Sequence, residues 1–220
     1  MPLIQGCGII YLPLTLGLFI MKPHYKLVCD YVFSDKKISD YSDCEQLTIN
    51  LAVEVLTTHG MGGKFMETLI REKYRLGNDG KIHGWDGMTK QNRPVEIKTE
   101  TVNASKKLFC EAPFAPNTEK APSKKQQFLK EKPILISSGL CNDTGKCIYV
   151  MFTDTGKLNP TARIFDMLDR NSPRINFSHW CADDDAFEVK YKNLGLVDKH
   201  YYSMREELRK ELKNVARLPI

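Results

Sequence analysis

Two acidic side chains and one lysine, Asp86, Glu96 and Lys98, have the types and spacing of a metal-assisted hydrolytic centre. Within Val95-Glu96-Ile97-Lys98 an extended chain turns Glu96 and Lys98 to one face and Val95 and Ile97 to the other, so a charged pair emerges from an apolar strand. If Ile82 to Asp86 forms the preceding antiparallel strand, Asp86 reaches the same edge and two carboxylates converge with one ammonium. Carboxylate oxygens are hard ligands for Mg²⁺, which can take a phosphate oxygen as a further ligand and lower the pKa of a bound water. A lysine beside that water orients it or stabilises the charge building on phosphorus. The implied chemistry is phosphodiester hydrolysis without a covalent intermediate, with Asp86 and Glu96 as ligands and Lys98 as the partner of the water.

The tripeptide alone is weakly specific. Five acidic-x-Lys tripeptides occur in the chain, where ordinary residue frequencies give ~3 by chance. Asp35-Lys37 and Asp79-Lys81 lie in polar, turn-like sequence, Glu211-Lys213 lies in the last helical pattern, and Glu188-Lys190 follows its acidic turn too closely. Only Glu96-Lys98 combines an apolar strand, a hairpin-length gap and an upstream Asp. The competing reading is an ion pair on an exposed strand face.

With these residues in this order the sequence resembles the PD-(D/E)xK nuclease superfamily. Asp86, Glu96 and Lys98 match the motif, Val95, Ile97 and Thr99 match its apolar surroundings, and Trp85 stands where the name carries proline. The resemblance implies a restriction-endonuclease-like α/β fold with a mixed β-sheet flanked by helices. It further implies Mg²⁺ as cofactor, with Asp86, Glu96 and Ile97 as metal positions. Glu67, in KFMETLIREKY, is the residue that matches the glutamate many members carry on the helix before the hairpin. Within the superfamily a single compact domain is most similar to a type II restriction endonuclease, which implies double-stranded DNA as substrate and a homodimer as the working form. The alternatives kept open are a structure-selective repair or junction-resolving nuclease and a non-catalytic nucleic-acid-binding protein on a similar fold.

The elements that must position these residues are legible as patterns. Asp43 to Gln46 reads as a helix start, with Leu47, Leu51 and Val55 recurring every four residues as its packed stripe. Lys64 to Tyr74 reads as a second helix with Phe65, Met66, Leu69 and Ile70 on one face and Glu67 at its border. Arg93 to Thr99 is the second hairpin strand, after a loop holding Gly87, Gln91 and Asn92. Pro113, Pro116 and Pro122 mark residues 112 to 124 as a long surface loop. A short basic helix over Ser123 to Glu131 leads to strands at Ile134 to Ser138 and Cys147 to Phe152, then a helix over Thr161 to Asp169. A further hairpin is expected across Asp183-Asp184-Asp185, with Ile175 and Phe177 on one strand and Phe187, Val189 and Tyr191 on the other. Ser203 and Glu206 form a capping box for a last helix whose stripe is Leu208, Leu212 and Val215. Interspersed helices and strands argue for a sheet covered by helices.

The whole chain fits a globular protein. Its 220 residues are 42% hydrophobic and 27% charged, which excludes disorder and low-complexity classes. A net charge of +5 permits a polyanionic partner without requiring one. Lys106 and Lys107, then Lys120, Lys124, Lys125, Lys130 and Lys132, form the densest basic region and are the candidate phosphate contacts. Gln126 and Gln127 are amides able to read adenine in a major groove. Seven scattered cysteines without a C-x-x-C pair read as reduced thiols, so an intracellular, cytoplasmic protein is expected. Gly60 to Lys64 fails as a phosphate loop because Phe65 and Thr58 stand where Ser or Thr and Gly are required. The histidines have no zinc-site spacing.

The run Cys7 to Met21 is apolar and uncharged, but shorter than the ~20 residues of a membrane-spanning helix. It lacks the preceding positive charge of a secretory signal, so no membrane role is expected. The domain reading is an N-terminal extension over residues 1–21, which an over-extended reading frame starting before Met21 would also produce, and one nuclease domain over residues 22–220.

Overall fold

The structure is a computed structural model that describes residues 22–58, 61–77, 84–103, 108–110, 112–119, 122–175 and 187–192. The chain begins with helices α1 (Lys22–Val32), α2 (Asp43–Thr57) and α3 (Gly62–Tyr74), followed by strands β1 (Gly87–Met88), β2 (Pro94–Asn103), β3 (Leu108–Cys110) and β4 (Ala112–Pro113). Helix α4 (Lys124–Glu131) leads into β5 (Ile134–Cys141) and β6 (Cys147–Asp154), then α5 (Arg163–Leu168), β7 (Arg174–Ile175) and β8 (Phe187–Lys192). Among the described residues the main sheet has six strands in the order β1-β2-β5-β6-β8, with β3 beside β2. Strands β2 and β5 are parallel, and the other pairs in this sheet are antiparallel. The fold is therefore mixed α/β, a mixed sheet flanked by helices.

Strand alternation builds two cores. Val95 and Ile97 of β2, Ile136 and Leu140 of β5 and Val150 of β6 point to one face and pack with α1, α2 and α3. Leu135 and Cys141 of β5 and Tyr149 and Met151 of β6 point to the other, against Phe114, Phe128 of α4 and Ile164, Phe165 and Leu168 of α5. Glu96, Lys98 and Glu100 share this second face by the two-residue period of β2. The order of the chain matters here, because α4 forms the crossover that makes β2 and β5 parallel.

Four expectations are corrected. Leu47 and Leu51 are 59% and 57% exposed, and the buried residues of α2 are Ile49, Ala52 and Leu56. Both stripes have helical spacing, and packing against α1 and α3 selects the second. The helix start is one residue earlier than read, because Ser42 is the N-cap and Glu45 accepts hydrogen bonds from its main-chain N–H and hydroxyl at 3.0 and 2.6 Å. Residues 112 to 124 are not wholly a surface loop: Ala112 and Phe114 are buried, and β4 pairs with β7. Among the described residues Ile175 and Phe187 are not partners as expected: β7 joins β4 while β8 joins β6. Residues 1–21, Phe177, the acidic turn and the expected C-terminal helix lie outside the described residues. Among the described residues no helix is long and apolar enough to cross a membrane.

Candidate active site

The hairpin brings the motif residues together, though from different positions than an idealised pair of strands. The first strand begins at Gly87, with Gly87 opposite Val95 and Met88 opposite Pro94. Asp86 is thus the residue just before the strand, and Ile82 and His83 lie outside the described residues. The register is set by a tight turn. The Asn92 N–H donates to the Thr89 carbonyl at 2.9 Å, and Asn92 adopts the left-handed conformation that asparagine tolerates well. Space next to Asp86 is tight, since a Cβ on Gly87 would lie 3.2 Å from Leu76 and 3.3 Å from the Gly77 carbonyl.

Ending β1 at Gly87 opens the edge of β2. On that edge β1 covers residues 94 and 95 and β3 covers residues 101 to 103, so among the described strands residues 96 to 100 have no neighbour there. Asp86 fills the start of this gap, its Oδ2 accepting the Ile97 N–H at 2.8 Å. The N–H and C=O of one strand residue leave on the same side, so the Ile97 carbonyl also faces the gap. Lys98 Nζ stands 2.7 Å from Glu96 Oε1 and 3.9 Å from Asp86 Oδ2. The structure therefore joins Asp86, Glu96 and Lys98 at one place.

Burial makes this cluster electrostatically tense. Glu96 is 7% exposed. Burial pushes its carboxyl above the usual range, Lys98 pulls it back, Asp86 raises it further, and the net shift is upward. Burial alone would lower Lys98, but the Glu96 and Asp86 carboxylates outweigh it and hold the ammonium charged. Two carboxylates facing one cation leave a site short of positive charge. Their oxygens and the Ile97 carbonyl are a hard donor set of the kind that suits Mg²⁺, with room in its coordination shell left to water and phosphate. The residues fit the metal that the motif implies.

The surrounding partners were not legible in the sequence. The Lys98 ammonium lies 4.7 Å from the centre of the Phe114 ring, a cation–π distance. Phe114 stacks edge-on against Phe128, and Phe128 against Trp85, with centroids 5.9 and 5.5 Å apart. The Trp85 indole N–H donates to Glu131 at 2.7 Å. An aromatic floor thus runs from Lys98 to the residue beside Asp86. Further along the same face, Tyr149 donates to the buried Glu100. Gly139 makes that crossing possible, since a Cβ there would sit 2.6 Å from the Tyr149 ring. The only sequence signal for these contacts was the apolar character of Phe114 and Trp85 inside polar stretches.

The other predicted positions divide. Glu67 is 9% exposed on α3 and bonds Lys64 at 2.7 and 2.8 Å. Its charge is felt at Lys98, but among the described residues no group of three or more His, Cys, Asp or Glu is close enough to hold an ion. Glu67 is therefore a neighbour of the cluster, not joined to it. Lys124 is near enough to lower the Glu96 carboxyl, whereas Lys125 faces Asp166 on α5 and Asp169 at its C-cap, at 3.9 and 3.6 Å. Gln126 is occupied in the cap of α4, exchanging hydrogen bonds of 3.3 Å with Ser123. Gln127 donates to the Pro122 carbonyl and accepts from Lys124, both at 3.3 Å. Lys106 and Lys107 lie outside the described residues. Comparison with models of known protein families and with curated proteins found no match for this chain.

Proposed function

We propose that this chain is a Mg²⁺-dependent endodeoxyribonuclease of the PD-(D/E)xK type, with a restriction-endonuclease-like fold and double-stranded DNA as substrate. The observation that carries this reading is the meeting of Asp86, Glu96 and Lys98 at a stretch of β2 that no described strand covers. Bound Mg²⁺ would supply an acidified water and neutralise charge on the scissile phosphate. Asp86, Glu96 and the Ile97 carbonyl would hold the ion. Lys98, kept charged by its two carboxylates and steadied over Phe114, would orient the attacking water and stabilise negative charge on phosphorus. Lys124 would meet the DNA backbone beside the site.

Type II restriction is the particular form proposed, as a homodimer that cuts both strands. The amides of Gln126 and Gln127 hydrogen-bond around the start of α4, and these exposed contacts would open if either residue read a base. The test is plasmid DNA incubated with purified protein and Mg²⁺. Cleavage that EDTA abolishes and Lys98→Ala loses, while DNA binding survives, is the expected result; intact plasmid across a range of divalent metals contradicts it. Discrete fragments favour restriction, and preference for branched DNA favours a junction-resolving role.

A further inference from the structure

Helix α3 carries a basic flank. Lys64, Thr68, Arg71 and Arg75 recur at steps of four, three and four residues, which places them along one side of the helix. Lys64 and Arg75 are exposed, and Thr68 and Arg71 are half-buried. The position of α3 follows from its two ends. At its start a Cβ on Gly62 would lie 3.4 Å from the Leu140 side chain, and Leu140 pairs with Thr101 of β2. Just past its end Gly77 exchanges main-chain hydrogen bonds of 2.9 Å with Met88, which pairs with Pro94 of β2. The helix therefore runs alongside residues 94 to 101, the length that holds the carboxylate cluster. The charge of Glu67 is felt at Lys98, so the flank shared by Glu67 and Arg71, one helical turn apart, faces that cluster.

Arg71 is the anomaly on this flank. Its Nε is shut off from water and meets no acceptor, and among the described residues no carboxylate pairs with its guanidinium. A buried N–H without a partner costs free energy in the protein alone, a cost that an acceptor arriving from outside would recover. The attraction of cations to a helix C-terminus accounts for a charge at Arg75, but not for this enclosed N–H. The carboxylates of α3 are answered or turned away. Glu67 accepts from Lys64 at 2.7 and 2.8 Å, and the charge of Glu72 is felt at Tyr25 and Cys29 on the α1 side. Asp86 and Glu96 are the carboxylates that a bound metal would neutralise.

We propose that this flank of α3 holds the sugar–phosphate backbone of the DNA strand that enters the cluster, with the Arg71 guanidinium as its main phosphate ligand. This assignment rests on the reading of the chain as a DNA-cleaving enzyme. A guanidinium presents paired N–H donors that match two oxygens of one phosphate. Lys64 and Arg75 stand about 16 Å apart along the helix, long enough to follow several successive phosphates at about 3.4 Å of rise each.

Fluorescence anisotropy of a labelled DNA duplex, with Ca²⁺ in place of Mg²⁺ to hold back cleavage, tests the assignment on the full-length protein. Arg71→Met should weaken binding at least about tenfold at low salt and make the fall of log K with log salt shallower by about 0.9, the share of one phosphate. Its urea midpoint should be unchanged or higher, because in the free protein the enclosed Nε has no partner to lose. Arg75→Met should act in the same direction with a smaller loss. Wild-type affinity and slope in Arg71→Met overturn the proposal. So does a lowered urea midpoint with the slope unchanged, which makes Arg71 a structural residue. If wild-type protein cleaves plasmid DNA in Mg²⁺ and Arg71→Met keeps the slope, the proposal alone falls. Wild-type protein that binds with the Arg71 effect but never cleaves keeps the phosphate contact and overturns the nuclease reading; protein that neither binds nor cleaves overturns both.

Discussion

Lys98 and Lys146 are both largely withdrawn from solvent, and the two regions treat the ammonium in opposite ways. Lys98 is surrounded by carboxylates, which more than offset the effect of burial and raise its pKa. Lys146 donates to three neutral acceptors, the carbonyls of Tyr31, Ser34 and Lys36, at 2.6, 3.1 and 2.7 Å, and lies over the Tyr31 ring. Burial lowers its pKa to about 8 despite the more distant Asp35, Asp30 and Asp40. Lys146 ties the C-terminal end of α1 to the β5–β6 turn and completes backbone hydrogen bonding that the helix end leaves open. Burial of a lysine therefore does not mark a working site. What sets Lys98 apart is its pair of carboxylate partners at a stretch of β2 that no described strand covers.

The comparison breaks most sharply by substitution. Lys98→Ala should lower DNA cleavage per folded molecule by about 10³-fold or more, read from plasmid cleavage, and should also lower the urea midpoint, because it leaves the buried Glu96 carboxylate facing Asp86 without its cation. Lys146→Met should affect stability alone. Leaving three carbonyls without their donor costs about 2 to 3 kcal/mol, seen as a lower urea midpoint, while cleavage per folded molecule stays unchanged. The same pair sharpens the pH argument. Between about pH 8 and 10.5 the unfolded chain holds a proton on Lys146 that the folded chain has released, so this group makes stability rise with pH across that window. Lys146→Met should lose that contribution, measured as the difference between the two stability curves.

Smaller effects separate the floor of the site from its ligands. Phe114→Leu keeps an apolar side chain but removes the ring face under Lys98, and should slow cleavage by about tenfold with DNA affinity unchanged. Loss of DNA affinity with unchanged turnover would assign Phe114 to substrate binding instead. Cleavage should also fall with pH along a limb above the ordinary carboxylate range, because Glu96 takes up its proton at raised pH. Higher Mg²⁺ should move that limb downward, as metal and proton compete for the same oxygens. A limb that ignores Mg²⁺ would remove Glu96 from the ligand set.

What the sequence disclosed was local. The alternation in Val95 to Lys98 and the upstream Asp86 depend on neighbours a few residues apart, so the hairpin and its charged face were readable. Of the four corrected features the helix start was local, a Ser42–Glu45 box one residue before Asp43, and the other three depend on which surface another part of the chain offers. Helix α2 has apolar residues on two sides, and only its packing against α1 and α3 decides that Ile49, Ala52 and Leu56 are the inner ones. Strand β7 has the same alternation whether it pairs with β4 or β8. The contacts of Lys98 with Phe114, Glu100 with Tyr149, and Lys146 with the end of α1 join distant segments, and no local pattern announces them.

Paramagnetic resonance of Mn²⁺ added to the full-length protein reads the central claim without relying on catalysis. Wild-type protein should bind the ion, Glu96→Gln should lose that binding, and Lys98→Met should keep or tighten it by removing the competing cation. Equal Mn²⁺ binding by wild type and Glu96→Gln would contradict a metal held by Asp86, Glu96 and the Ile97 carbonyl.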